Sequence, residues 1–180
     1  SMGITLKYLG YSMNTRDITA LEAAKAKLIE QKNAGIVKAY QVDETKDKMV
    51  AGEAALAVMW SGDAQYAIDL NPDLAYAIPK EGSNVWVDCM VIPKDAKNKE
   101  NAEAFINYMC STEAGLKNCE EIWYSTPLMS VREALDPEVS SDPYAYPDEE
   151  IMDKCESYAG LPQNILDLYD SEWTRLKSAT

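Results

Sequence analysis

Two hydrophobic periods alternate along the first half of the chain, one typical of helices and one typical of strands. In residues 19–32, apolar side chains recur every three or four positions behind a capping box that starts at Thr19, which predicts a helix. Residues 54–60 are continuously apolar, as expected for a strand that is covered on both faces. Shorter patterns predict strands at 36–42, 74–78 and 85–91 and helices at 44–51 and 63–70.

The order of these elements indicates the fold class. Strands that alternate with helices are typical of an α/β protein with a mostly parallel sheet flanked by helices, although the strand at 85–91 would also fit an antiparallel position. In such sheets, ligands bind beyond the carboxyl ends of the strands. Trp60 lies at such an end and is followed by turn residues 61–63, so a core role and a ligand-facing role are equally supported.

The second half of the chain is predicted to be mainly helical. In the amphipathic segment 163–178, Tyr169 and Trp173 fall at helical spacing, which favours core packing for both side chains. An aromatic loop at 123–127 and a polar loop rich in Pro and Tyr at 140–147 interrupt the helices. The other predicted helices lie at 98–110, at 112–118, at 131–135 and from 147 onward.

The stretch at 79–93 carries the most informative chemistry of the chain. A charged turn with Gly82 leads into a strand in which Trp86 and Asp88 are two positions apart, so both side chains point to the same side. An indole face beside a carboxylate suits a desolvated organic cation, which needs an aromatic wall and a counter-charge. The alternative is a half-buried Trp beside a solvated Asp, and on this stretch alone that alternative is the stronger.

Composition and charge argue against several classes of function. Seventeen basic and thirty acidic residues give a net charge of −13, which argues against nucleic acid and anionic membrane surfaces as partners. The sequence contains no histidine, so neither a Ser-His-Asp nor a Cys-His catalytic site is possible. No C-x-x-C pair is present, so no zinc site is predicted, while disulfide pairing is left open. The four cysteines are Cys89, Cys110, Cys119 and Cys155.

Six short motifs, in a consistent order, carry a family resemblance. They comprise an apolar strand ending in Trp, a Pro-Lys-Glu-Gly turn, a Trp-x-Asp pair, an Ala-Lys-Asn helix start, a Tyr-x-Thr-Pro loop and a Tyr-Pro-Asp segment. From about Leu9 to the last helix, the chain resembles the carboxyl-terminal part of the bacterial spermidine/putrescine-binding proteins, the substrate-binding components of ABC importers. The motifs lie at 58–64, 78–82, 86–93, 96–107, 124–127 and 146–148.

The resemblance implies a two-lobed α/β fold of the periplasmic binding protein type, which closes on its ligand. Residues 1–90 would form the α/β part of the second lobe, and residues 91–180 a crossover and a helical segment that packs on the lobes. Family members are longer, so the first lobe is expected upstream of Ser1. A chain without that lobe is expected to fold, to bind polyamines poorly and to self-associate.

The resemblance also assigns ligand-binding residues, motif by motif. Trp60, Trp86 and Tyr124 match aromatic residues that sandwich the methylene chain of a polyamine. Asp88 matches a carboxylate that pairs with an ammonium group. Gln163 is a further candidate in a region that does not align securely, and no metal or cofactor is implied.

The function implied by the resemblance is capture of spermidine or putrescine and delivery to an ABC permease in the membrane. The expected location is extracytoplasmic, either in the periplasm or as a lipoprotein on the outer face of the cell membrane. The first residues, Ser1-Met2-Gly3, resemble a cloning remnant, so the amino terminus carries no information about an export signal. Which polyamine is preferred stays open.

Three other interpretations remain open. A binding protein for another organic cation, an amino acid or a sugar would also use indole walls. A hydrolytic enzyme would need paired carboxylates such as Asp88 and Glu81, but these straddle a turn, and no nucleophile motif such as G-x-S-x-G is present. A pure interaction module overlaps with the transport hypothesis, because a binding protein also docks on its permease.

Overall fold

The computed structural model describes residues 1–178, and its regular structure is almost entirely helical. These residues contain no β-strand, and their only bridge-type pairing is an isolated parallel bridge between Asn84 and Glu156. The helices, in chain order, are α1 (Met2–Tyr8), α2 (Ile18–Asn33), α3 (Glu44–Val50), α4 (Ser61–Leu70), α5 (Lys99–Met109), α6 (Thr112–Ile122), α7 (Met129–Arg132), α8 (Pro137–Ser140), α9 (Glu149–Met152) and α10 (Gln163–Ser178).

A core of apolar side chains joins the beginning of the chain to its last helix. Leu6 of α1, Leu21 of α2 and Leu176 of α10 are fully buried in one cluster. Each such burial contributes roughly 1.5–3 kcal/mol, so this cluster is a principal source of stability. Tyr169 and Trp173 are half-buried and pack against it, which confirms the predicted core role of both aromatic residues of α10.

Helix positions agree broadly with the sequence pattern, but the pattern does not predict α1 or α8, it ends α6 at residue 118 and not at Ile122, and it misplaces the start of α2. Helix α1 lacks a helical signal, because its apolar side chains at positions 2, 4, 6 and 8 alternate and do not recur every three or four residues. The N-cap of α2 is Asp17 and not Thr19. The carboxylate of Asp17 accepts the Thr19 N–H at 2.8 Å, so the helix starts two residues before the predicted capping box would allow.

A buried carboxylate of α10 pairs with two cations, one of which lies on α2. Glu172 is only 2% exposed, and its carboxylate pairs with Lys25 of α2 and, at 2.7 Å, with Arg175 of α10. A carboxylate removed from water must be compensated by cations and hydrogen bonds, since an unpaired buried charge is strongly destabilising. The two cations therefore permit Glu172 to occupy the helix interface.

The segments predicted as strands are not helical, and none forms a ladder within residues 1–178. The run 54–60 was expected to be covered on both faces, yet Leu56 is 92% exposed and Val58 is 73% exposed. That expected cover is absent from the part of the chain that the structure describes. A strand exists only where a neighbouring backbone completes its hydrogen bonds. The mostly parallel sheet therefore stays a prediction.

Glu156 connects three distant segments of the chain. Its backbone N–H donates to the Ser83 carbonyl at 2.9 Å, and its own carbonyl accepts from the Val85 N–H at 3.0 Å. Its carboxylate accepts from Lys7 Nζ at 2.8 Å and from Ser12 Oγ. This node fixes the backbone immediately before the Trp-x-Asp pair.

The Glu156 node predicts a stability that depends on pH. Burial acts to raise the pKa of Glu156, but hydrogen bonds from Lys7, Ser12 and the Met13 N–H outweigh burial and hold the pKa below its ordinary value of 4.5. A carboxyl group whose pKa is lowered by folding contributes stability above its unfolded pKa. That contribution is lost as the pH falls through the folded pKa.

We expect Glu156→Gln to lower the free energy of unfolding by about 1.5–3 kcal/mol at pH 7, because hydrogen bonds to a charged group are lost. At pH 3 the same substitution should have a much smaller effect. Urea unfolding at both pH values measures this difference. Glu150→Gln, which removes an exposed carboxylate paired with Lys154, is the matched control. Equal losses at both pH values for Glu156→Gln would contradict the electrostatic explanation.

Three features are absent from residues 1–178. No disulfide is present, and all four cysteines are free, with Cys89 and Cys110 exposed. No three Cys, Asp or Glu side chains converge in a way that could hold a metal ion. No helix in this range combines the length and the apolar character needed to cross a membrane.

Candidate ligand-binding site

Three aromatic rings from distant parts of the chain meet at one place, and we call Trp60, Trp86 and Tyr124 the aromatic cluster. The two indoles are 4.7 Å apart between ring centroids with an interplanar angle of 63°. Tyr124 lies 6.0 Å from Trp86 at an angle of 73°. Edge-on contacts of this kind are favourable for aromatic pairs. Trp60 and Trp86 remain 40% and 37% exposed, so the aromatic cluster keeps an open face.

The backbone places Trp60 and Tyr124 at helix ends and Trp86 two residues after an isolated bridge. Trp60 is the extended N-cap residue of α4, with φ −70° and ψ 148°, so it stands where the helix begins. Trp86 follows the bridge that holds Glu156. Tyr124 follows Trp123, which ends α6 in the left-handed conformation at φ 63°. This conformation is uncommon for a residue other than glycine, and it turns the chain away from the helix before Tyr124.

Tyr124 packs directly on the backbone of α4 at Gly62. A Cβ atom built on Gly62 would overlap the Tyr124 ring and would lie 2.7 Å from its Cγ. Contacts this short are essentially never made by a real Cβ, so the close approach requires glycine at this position. The Trp60-Ser61-Gly62 sequence thus supplies the Trp60 ring and, at Gly62, a backbone without a side chain against which the Tyr124 ring packs.

A Gly62→Ala variant is expected to be about 1–3 kcal/mol less stable than the wild type, because the new methyl group overpacks the Tyr124 ring. This cost should outweigh the helix-propensity gain of up to about 1 kcal/mol. Urea denaturation measures it. Gly160→Ala is the matched control, since nothing lies within 4 Å of a Cβ at that position. A Gly62→Ala protein as stable as the wild type would contradict the close approach.

The loop that carries the cluster's tyrosine is fastened to the polar loop that follows α8. Ser125 Oγ donates to the Ala145 carbonyl, and the Thr126 N–H donates to the Tyr146 hydroxyl at 3.2 Å. The Arg132 guanidinium lies 4.1 Å from the centroid of the Tyr146 ring, a cation–π contact that holds this ring in place. The polar loop therefore positions the aromatic loop.

The charges of three carboxylates act on the hydroxyl group of Tyr124. Burial raises the pKa of this phenol, and the nearby carboxylates of Asp63, Asp88 and Asp43 raise it further, while a backbone hydrogen bond at Asp63 acts in the opposite direction. The phenol is consequently neutral at physiological pH, and the local charge is that of the carboxylates. An aromatic surface bordered by anions attracts organic cations and repels anions.

Sequence reasoning missed two of these carboxylates. Asp63 had a usable signal, because it stands three positions after Trp60 in the first turn of the helix that Trp60 caps. No sequence pattern identifies Asp43. It is the N-cap of α3, and its charge acts on Tyr124 because α3 packs against α4. Asp88 was predicted, and the structure places it close enough to act on the phenol of Tyr124.

Two other residues singled out from the sequence have different surroundings. Gln163 stands at the start of α10, where its side-chain amide donates to Asp167 at 2.8 Å. Glu81 lines a groove together with Glu156, whereas Asp88 acts on the aromatic cluster. This separation gives no support to Asp88 and Glu81 as the paired carboxylates of a hydrolase.

The chain is similar to known polyamine-binding proteins in sequence. Residues 1–147 match the family described as bacterial extracellular solute-binding protein. The spermidine/putrescine-binding periplasmic protein of Salmonella typhimurium is 37% identical over 153 residues, which cover 85% of this chain and 43% of that protein. The protein of the same description from Escherichia coli K12 is 36% identical over 177 residues, covering 97% of this chain and 49% of that protein.

Solved structures share the fold as well as the sequence. The substrate-binding protein of a spermidine/putrescine ABC transporter from Streptococcus pneumoniae superposes with a TM-score of 0.85 at 38% identity, covering 98% of this chain and 54% of that one. A structure from Listeria monocytogenes assigned to a spermidine/putrescine ABC transporter gives a TM-score of 0.89 at 40% identity, with the same coverage. The chain therefore has part of a periplasmic-binding-protein fold.

These comparisons confirm the family resemblance seen in the motifs. The chain spans about half the length of the curated relatives it matches, 43% and 49% for the two named above. Those relatives are substrate-binding proteins of transport systems and not enzymes. Because the family match extends over residues 1–147, this chain belongs to the bacterial extracellular solute-binding proteins.

Proposed function

We propose that the protein captures polyamines, spermidine or putrescine, outside the cytoplasm and delivers them to an ABC permease in the membrane. The observation that carries this proposal is the aromatic cluster, with partly exposed indoles 4.7 Å apart and a phenol on which the charges of three carboxylates act. The descriptions of the relatives support the same ligand class.

The chemistry of the site suits an elongated cation. The exposed faces of Trp60 and Trp86 would cover the methylene chain, and they would also attract its ammonium groups by cation–π contact. Asp88 would accept a charge-assisted hydrogen bond from one ammonium group. Tyr124, as a neutral phenol, would add a hydroxyl without opposing the ligand's charge. Aromatic walls also stack on sugars, but the surrounding carboxylates favour a cation.

We further propose that the ligand is held between this aromatic wall, which belongs to the second lobe, and the first lobe of the two-lobed fold. The exposed side chains of Leu56 and Val58 support the presence of a further lobe, because the sequence pattern predicts a buried strand in this segment. In the complete fold, the segments 36–42, 54–60 and 85–91 would join the mostly parallel sheet. Residues 1–90 and 91–180 would then serve as the lobe and the crossover segment.

Calorimetric titration of the full-length protein with spermidine tests the proposed ligand. We expect saturable one-to-one binding that weakens as the salt concentration rises, because ion pairs are screened. Putrescine, arginine and maltose, titrated in parallel, represent the rival ligand classes. Tight binding of maltose without binding of spermidine would replace the polyamine proposal with a sugar-binding one.

The 180-residue chain by itself is expected to bind spermidine only weakly, with a dissociation constant above the micromolar range. Each solvent-exposed cation–π or ion-pair contact contributes about 1 kcal/mol or less. A few such contacts do not offset an association cost of about 4 kcal/mol or more. Titration at moderate salt measures the affinity, and sedimentation analysis reports self-association through the exposed apolar segments. Micromolar binding by a monomer would contradict the two-lobe account.

A further inference from the structure

A lysine side chain already occupies a cation position on α4, the helix that Trp60 of the aromatic cluster caps. Lys46 of α3 extends its ammonium to 3.5 Å from Asp63 Oδ1 and to 5.4 Å from the centroid of the Tyr66 ring. Its side chain is 34% exposed and that of Asp63 is 20% exposed, so the pair is partly desolvated. A carboxylate combined with an aromatic face is the same environment that an organic ammonium ion would seek.

The Lys46 position is coupled to the candidate site through α4. Asp63 lies in the first turn of α4, three positions after the N-cap Trp60. After burial, the Asp63 carboxylate is the largest influence that raises the pKa of Tyr124, so its field reaches the aromatic cluster. Whatever neutralises Asp63 therefore changes the electrostatic potential that a cationic ligand would meet.

We propose that Lys46 acts as a tethered competitor for the cationic ligand. This inference rests on the proposed polyamine function. The Lys46 ammonium pairs with Asp63 and occupies a carboxylate-and-aryl position, formed by Asp63 and Tyr66, on the helix that Trp60 caps. It thereby lowers the affinity of the site for cations and reduces its preference for ligands of higher charge.

The effect follows from simple electrostatics. Removing one positive charge near the site favours every cationic ligand in proportion to the ligand's own charge, so a trication gains more than a dication. Because Lys46 is partly exposed, water and salt limit the size of this gain. A role confined to tying α3 to α4 would have the opposite consequence, since loss of that tie would loosen Asp63 and weaken binding.

The test compares polyamine affinities of full-length variants by calorimetry. Lys46→Met keeps the length of the side chain and removes its charge, and it is expected to bind spermidine about three- to tenfold more tightly at low salt. The gain for putrescine should be smaller, and both gains should shrink at about 0.5 M salt. Lys46→Arg retains the charge and should bind like the wild type.

Lys48→Met is the matched control, because Lys48 lies on the same helix and pairs with Gln41, and its removal changes the net charge equally. It should alter the affinity by less than about twofold. Unchanged or weaker spermidine binding by Lys46→Met would overturn the competitor role, as would an equal gain in Lys48→Met. If the wild type binds no polyamine at all, the proposed function fails, and that result differs from a failure of Lys46 alone.

Discussion

Replacing Asp88 by asparagine in the full-length protein is expected to weaken spermidine binding by roughly 2–5 kcal/mol, because a carboxylate that faces a desolvated ammonium would be lost. Trp86→Leu should cost only about 1–2 kcal/mol, since it removes one cation–π wall and leaves an apolar surface. Calorimetry on both variants gives the order of the two effects. The charge of Asp88 acts on the phenol of Tyr124, whose ring contacts that of Trp86.

The control for Asp88→Asn is Asp69→Asn, an identical change of charge at an exposed position of α4. It should leave the affinity within a few tenths of a kcal/mol of the wild type. Full spermidine affinity in Asp88→Asn would mean that the carboxylate is merely solvated. A loss of equal size in both Asp variants would point to long-range attraction in place of direct pairing.

The second large effect is expected in stability. Glu172→Leu should lower the free energy of unfolding by about 3–5 kcal/mol, because it leaves Lys25 without its carboxylate partner at the interface of α2 and α10. Urea unfolding followed by circular dichroism measures the loss. Glu103→Leu, which removes an exposed carboxylate paired with Lys99 on one helix, should have an effect below about 1 kcal/mol.

A double variant distinguishes the buried charge from the packing. Replacing Lys25 by Met together with Glu172→Leu removes both members of the pair, and apolar replacements of a buried ion pair are often neutral or stabilising. The double variant should therefore recover most of the stability that Glu172→Leu alone loses. If it is instead less stable than the single variant, the unpaired Lys25 is not the source of the loss.

The helical part of the fold could be predicted because amphipathic spacing and caps are local properties. The apolar stripe of α10 predicts that one face of this helix is buried, and Trp173 and Leu176 do pack in or against the core. The strand segments differ, since a strand is defined by its neighbour and the pattern does not say where that neighbour lies. Leu56 illustrates this limit. Its apolar run predicts that other parts of the protein pack on both faces of the segment, but it does not identify them, and Leu56 is exposed here.

The residues of the candidate site also fall into a group that the sequence predicts and a group that it does not. Trp60, Trp86 and Tyr124 could be predicted because they stand in motifs, and the structure brings their rings together. Asp43 and Lys46 could not, since both depend on how α3 packs against α4 and neither stands in a recognisable pattern. Asp43 and Lys46 act electrostatically through space, and the sequence around them does not show which residues they approach.

The edge contact between Trp60 and Trp86 gives the protein an optical signal of its own. The chain has four tryptophans, and two of them lie in the aromatic cluster, while Trp173 packs against the helical core. Exclusion of water from two indoles 4.7 Å apart should shift their emission to shorter wavelength and alter their exciton coupling. Ligand occupancy would thus be readable by unlabelled fluorescence, and Trp60→Phe would halve the responding signal while preserving an aromatic wall.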